Sequence, residues 1–296
     1  MIYDVRHVTT YSYDAPVAFA RCALRLLPRD DRHQRVLSAD LGIKPLPAFR
    51  NERQDFFGNR VVDVSLETAH RQLRVEARSR VEVRRDEPAL LRTSPAWEEV
   101  NRRAFGSPSL ASSSPAHFVY PSRLAPLIDP ITLYARQSFP AGAAIIDGAT
   151  DLMHRMRADF LYDPKATVIS TPILDAFVGR VGVCQDFAHI MIAGLRGLGL
   201  PAAYVSGYIR SVPAPGKERL EGADASHAWV SLWCGPEEGW IGFDPTNDME
   251  VANEHVVVAI GRDYDDISPI HGILLGPGEQ EIEVGVDVVP WPGVAA

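Results

Sequence analysis

Gly182-Val183-Cys184-Gln185-Asp186-Phe187-Ala188-His189 opens the stretch that decides the fold. Phe187, Ile190, Met191, Leu195 and Leu198 recur at helical spacing, and the run stops at Gly199 with Pro201 just beyond it. Upstream, Ile145, Ala149, Leu152, Met153 and Met156 repeat the helical period. Downstream the apolar pattern shortens into strand-like runs at Ala203–Ile209, Ser226–Trp233, Trp240–Phe243 and His255–Ile260, the last of which also fits a short buried helix. Helices followed by strands predict an α+β core over residues 126–296.

Working outward, the N-terminal third has a different period. Tyr3, Val5, His7, Thr9, Tyr11 and Tyr13 share one face of an alternating run. Over 72–83, Leu73, Val75, Ala77, Val81 and Val83 take one parity while Arg74, Glu76, Arg78, Arg80 and Glu82 take the other. A period of two with one solvated face indicates antiparallel sheet. Asp55-Phe56-Phe57-Gly58-Asn59 supplies a turn before a strand at Arg60 to Leu66. Residues 1–85 are therefore expected to form an antiparallel β domain, a small sandwich. Residues 86–125 carry Pro88, Pro95, Pro108, Pro115 and Pro121 and a serine cluster, and read as a linker. One short helix is expected in it, with Ser94 as N-cap, Pro95 first, running to about Ala104. The final strand carries Ile282, Val284, Val286 and Val288 on one face.

Chemistry concentrates in the second region. Cys184 falls at the start of the 185–198 helix, where unpaired N–H groups and the positive dipole end favour a thiolate. Ser226-His227-Ala228-Trp229-Val230 places His227 and Trp229 on one strand face. Cys234-Gly235-Pro236-Glu237-Glu238-Gly239 is a turn sequence, so 227–233 and 240–244 form a hairpin. In any register with an odd index sum, His227 and Asp244 lie on one face, directly or diagonally opposed; a one-residue slip separates them. That geometry permits an Asp244–His227 hydrogen bond with Cys184 presented from the helix, the arrangement of nucleophile, base and orienter.

These segments, with Phe243-Asp244-Pro245-Thr246-Asn247, resemble the transglutaminase-like superfamily of papain-like cysteine enzymes. More narrowly, the chain resembles the bacterial transglutaminase-like family with an N-terminal β domain. His7-Val8-Thr9-Thr10-Tyr11-Ser12-Tyr13, Phe57-Gly58-Asn59, Leu200-Pro201-Ala202-Ala203-Tyr204 and Gly261-Arg262-Asp263-Tyr264 fit the same family. The resemblance implies Cys184 as nucleophile, His227 as base and Asp244 as orienter. At Ser231, relatives often carry Glu, a departure that bears on substrate contacts rather than on the triad.

Other residues read more plainly. His189 follows Cys184 by five residues, off the i+4 face, and is expected to be packed or capped. Asp186 suits the first helical turn electrostatically but opposes a thiolate. Asp263, Asp265 and Asp266 lack an EF-hand's Gly and terminal Glu and read as a solvated loop. Trp229 and Trp240 read as core or cleft wall. No glycine-rich phosphate loop appears, so no nucleotide cofactor is expected.

The 296 residues are 46% hydrophobic and 23% charged, a globular rather than disordered composition. The net charge of −8 argues against nucleic acid as main partner. No apolar run approaches the roughly 18 residues of a membrane helix, and no signal core opens the chain, so a cytoplasmic protein is expected. The three cysteines, Cys22, Cys184 and Cys234, form no C-x-x-C pair. Of 30 basic residues only Lys44, Lys165 and Lys217 are lysines, which a GC-rich genome explains.

Three function classes follow. The leading one is a cysteine enzyme acting on a peptide or protein amide through a thioester, with water or an amine as acceptor. The second is a catalytically silent binding module of the same fold. The third, a metal protein using Cys184, His189 and His227, lacks paired ligand spacing, and no metal is expected.

Overall fold

The computed structural model describes residues 1–85, 93–210 and 225–292. The N-terminal strands are β1 (Ile2–Val17), β2 (Phe19–Leu24), β3 (Gln34–Lys44), β4 (Phe49–Gln54), β5 (Arg60–Leu66) and β6 (His70–Val83). Then come α1 (Trp97–Phe105), α2 (Asp129–Arg136), α3 (Ile145–Asp159), β7 (Leu161–Tyr162), α4 (Ile173–Gly179), β8 (Val181–Gly182) and α5 (Cys184–Gly197). The remainder is β9 (Ala202–Ile209), β10 (Ala225–Trp233), β11 (Trp240–Asp244), β12 (Met249–Glu250), β13 (His255–Gly261), α6 (Tyr264–Ile267), β14 (Ile270–Leu275) and β15 (Gln280–Pro290). The class is α+β, with antiparallel sheets throughout apart from the short parallel β7–β8 pair.

The alternating first third forms a sandwich of two four-stranded sheets, ordered β15-β1-β6-β3 and β14-β2-β5-β4. One edge strand of each sheet, β15 and β14, therefore comes from far along the sequence: residues 270–290, expected with the second region, complete the sheets of the first. Tyr3 pairs with Pro290 and Tyr13 with Gln280 along β1. Local periodicity identifies β15 as a strand but carries no information about which edge it joins. Only its inner half is covered: Val286 and Val288 are buried, while Ile282 and Val284 are 50% and 54% exposed.

Long strands β1 and β6 serve two cores. Tyr13, Leu73, Val75 and Ala77 pack inside the sandwich. Tyr3, Val5, Val81 and Val83 pack with α5 and the core sheet instead. Buried amides stitch the two halves together. Gln34 and Asn59 each donate to and accept from the backbone of β13, at Val257 and Ile260 respectively, with distances of 2.7–2.8 Å. β13 is an edge strand of the core sheet, and these side chains satisfy backbone groups that a missing neighbour would otherwise bond.

The described part of 86–125 is not a loose tether; Pro88 lies outside the described residues. Phe118 is buried, and the Arg196 guanidinium on α5 donates to the carbonyl oxygens of Phe118, Ala202 and Arg262. The short helix begins at Trp97 with Ala96 as N-cap, not at Pro95. Ser94 Oγ instead accepts the Ile146 N–H, capping the start of α3, a partner 52 residues away.

The core sheet runs β12-β11-β10-β9-β13, with α5 against β9 and β10. The 255–260 run is strand. α5 is almost wholly buried, which is why its sequence is apolar around most of its circumference. Gly207 marks the tightest point of the sheet. A Cβ there would sit 2.1 Å from the Val256 carbonyl oxygen and 2.4 Å from the Trp229 ring. We expect Gly207→Ala to cost about 3 kcal/mol, the upper end of overpacking penalties, because a ladder carbonyl cannot swing away. Urea unfolding of the variant measures it; a loss near zero would refute this packing.

Candidate active site

Val183 has extended backbone and α5 starts at Cys184, so the thiol occupies the first helical position and is partly buried. The exposed N–H groups of that turn have a local partner. Asp186 Oδ2 accepts the Val183 N–H at 2.9 Å and the Thr167 hydroxyl at 2.5 Å. The carboxylate whose role the sequence leaves open thus braces the cysteine turn.

His227 projects from β10. Its Nε2 donates to Asp244 Oδ2 at 2.7 Å, and both side chains are nearly or fully buried. The register Val230↔Phe243 and Trp233↔Trp240 has an odd index sum, and continuing it sets Asp244 one step diagonal to His227. The Cys184 thiol lies close enough to the imidazole to favour its charged form. With Nε2 turned to Asp244, Nδ1 is the nitrogen left to the sulfur. The structure therefore brings Cys184, His227 and Asp244 together.

Asp244 is fully buried and accepts five hydrogen bonds. Oδ1 takes the Thr246 and Asn247 N–H groups at 3.1 and 3.2 Å. Oδ2 takes His227, the Asn247 amide at 2.7 Å and His255 Nε2 at 3.2 Å. His255, on β13, was not singled out from the sequence. Nothing local marks it; β9 lies between β10 and β13 and sets the two histidines about one carboxylate.

Burial opposes charge on His227, yet the hydrogen bond it donates to Asp244 and the neighbouring Cys184 outweigh burial and raise its pKa to about 10. Burial likewise resists charge on Asp244, but hydrogen bonds from His227 and His255 hold its carboxyl well below the usual range. The pair is an imidazolium–carboxylate. The raised histidine contributes stability that is full below pH 6.5 and lost as pH rises through about 10. The depressed aspartate contributes stability present above pH 3.8 and lost as pH falls toward its lower folded value. We expect urea-unfolding stability to decline between pH 6.5 and about 10, and His227→Gln to flatten that decline. An equal slope in the variant would remove this ion pair from the account.

His227, Asp244 and His255 could also be considered as metal ligands, their donor atoms lying within 4.8 Å of one another. The tautomer of His255 opposes it. Its Nδ1 accepts the Ala252 N–H, so the ring proton sits on Nε2, which faces Asp244 as a donor. A ligating histidine needs that nitrogen bare and the other donating outward.

The remaining residues stand apart. His189 is buried beside Tyr204, accepts the Tyr264 N–H at its Nε2, and is pushed by burial to about 4. No hydrogen bond or ring contact among the described residues joins it to Cys184 or His227. Asp263 is no solvated loop residue: it is 2% exposed, caps α6 through the Asp265 N–H and accepts the Leu124 N–H. Asp265 and Asp266 pair with Arg123 and Arg262. Trp229 is core, its ring against His255, and Trp240 is half-buried, donating to the Ser113 carbonyl.

A helix-borne thiol facing a strand-borne, carboxylate-held imidazole defines a papain-like architecture. The bacterial transglutaminase-like N-terminal region matches residues 3–82, and the transglutaminase-like superfamily core matches residues 135–245. An uncharacterized protein of Mycobacterium tuberculosis is 39% identical over 301 residues, covering 99% of this chain and 94% of that protein. A protein-glutamine gamma-glutamyltransferase of Pseudomonas aeruginosa is 35% identical over 105 residues, 33% of this chain and 15% of that protein. Among solved structures, a candidate cysteine protease from Cytophaga hutchinsonii superposes with TM-score 0.75 at 19% identity, covering 99% of this chain and 92% of that one. The chain belongs to the bacterial transglutaminase-like family. Among the described residues no helix is long and apolar enough to cross a membrane.

Proposed function

We infer that this chain is a cysteine-dependent amide hydrolase, a peptidase or amidase, with Cys184, His227 and Asp244 as its triad. One observation carries the reading: the 2.7 Å His227–Asp244 bond beside a thiol at a helix start. The thiol proton rests on His227 as the imidazolium, and the sulfur adds to the amide carbonyl carbon. The adduct collapses as the C–N bond breaks and His227 protonates the leaving amine. A thioester on Cys184 remains. His227 then deprotonates water, the oxygen attacks the thioester carbonyl, and the thiolate leaves. Asp244 holds the ring and balances its charge without accepting the proton. The substrate is a peptide or protein amide, and the proposed setting is the cytoplasm. The test is intact-mass detection of an acyl adduct on Cys184 from a peptide library. No adduct, and no turnover, would leave the binding-module reading in its place.

The 105-residue similarity to a gamma-glutamyltransferase favours a second reading, transfer to an amine. The acyl-enzyme is common to both; the acceptor decides. Without a site that positions an amine, bulk water should outcompete it. We expect mainly acid product when a peptide amide is incubated with a millimolar fluorescent primary amine. Amine incorporation exceeding hydrolysis would establish the transamidase instead.

A further inference from the structure

A cavity of about 300 Å³ lies at the junction of the sandwich, the 93–125 segment and the core sheet. Phe57, Phe118 and Trp240 form a continuous aromatic wall, with ring centroids 5.3 and 5.1 Å apart in sequence. Trp229 closes another side, and Ser231 sits beside it on β10. Neither Cys184, His227 nor Asp244 lines this space. Trp229 stands between, its ring 6.0 Å from that of His227.

The charge of the lining runs against that of the molecule. In a chain of net charge −8, Arg29, Arg32 and Arg85 border the cavity against one carboxylate, Asp31. That carboxylate already accepts the His33 N–H at 2.7 Å. The arginines are held by neutral acceptors. Arg29 donates to the Phe57 carbonyl and the Asn59 amide oxygen, Arg32 to the Trp240 carbonyl and His33, and Arg85 to the Ala252 and His255 carbonyls. None of the three forms an ion pair among the described residues. Arg29 Nε is buried with no hydrogen-bond partner at all. Burial lowers the pKa of both Arg29 and Arg85, and the more distant Asp31, Asp55 and Glu254 offset it only in part. A partly desolvated guanidinium group beside an aromatic slot, with no carboxylate in direct contact among the described residues, supplies a fork that binds an anion.

We propose that this cavity is a small-molecule site for an anion carried on a flat apolar body, an aromatic carboxylate or sulfonate, separate from the acyl-transfer site. The apolar body stacks in the aromatic slot while its anionic group meets Arg29 and Arg32. The volume is at the lower end of the roughly 300–1,000 Å³ typical of ligand pockets, which limits the occupant to one compact molecule. The inference holds whether or not Cys184 acts on amides.

The test uses the intact chain and two fluorescent probes of one shape. 1-Anilinonaphthalene-8-sulfonate carries the charge; N-phenyl-1-naphthylamine is its neutral counterpart. We expect one sulfonate probe per chain, bound about tenfold more tightly than the neutral probe at low salt, as a charge-assisted pair implies. Ser231→Phe fills the slot and should abolish binding of both. Arg32→Gln, at an exposed position that should tolerate change, should weaken the sulfonate about three- to tenfold and leave the neutral probe unchanged. Equal affinities for the two probes, several molecules bound per chain, or sulfonate binding indifferent to Arg32→Gln would each overturn the proposal. Because Arg32→Gln leaves the core untouched, it decides the matter should Ser231→Phe fail to fold.

Discussion

Cys184→Ala should reduce amide turnover by at least about a thousandfold, since the reaction loses its only thiol nucleophile. The variant should remain folded. The side chain is partly exposed, and its removal leaves α5 intact and the Asp186 brace on Val183 in place. It should also retain His227–Asp244 as a pair, because that bond does not pass through sulfur. Steady-state kinetics with circular dichroism measure both halves of the expectation. Substantial turnover in a folded Cys184→Ala variant would end the nucleophile assignment and with it the thioester.

His227→Ala and Asp244→Asn should differ in kind. His227 moves the proton, so its loss should remove on the order of 10⁴-fold or more of turnover. Asp244→Asn should cost turnover less, because the imidazole remains, but it should cost stability more. Both carboxylate oxygens accept hydrogen bonds: two backbone N–H groups on one, and His227, His255 and Asn247 on the other. An amide must turn its NH₂ toward one of these sets of donors. Breaking a buried charged pair in this way costs about 3–5 kcal/mol. Kinetics and thermal unfolding of both variants, compared in folded samples, check the ordering. A larger turnover loss for Asp244→Asn, or an unchanged melting temperature, would contradict these roles.

Much of this site was legible because its parts are local. The alternation of 72–83, the helical period after Cys184 and the odd register of the 227–244 hairpin each depend on neighbours within a few residues or one turn. What escaped depends on pairing at long range. His255 acquires its part through the β9–β13 pairing, Ser94 caps a helix half a hundred residues on, and Asp263 is buried by Leu124. The cavity escaped for the same reason: Phe57, Phe118 and Trp240 come from three separate segments, and no spacing links them.

The pairing of β1 with β15 has a consequence for biogenesis. Tyr3 meets Pro290 across the sheet, so β1, once made, waits for β15 to be synthesised. At about 5–20 residues per second that delay is roughly 15–60 s, during which one flank of β1 has no partner. A nascent chain with an open sheet edge invites pairing with other chains. The sandwich therefore cannot close until β15 has been made, well after the core sheet, and a product stalled before β15 would carry an exposed strand rather than a finished first domain.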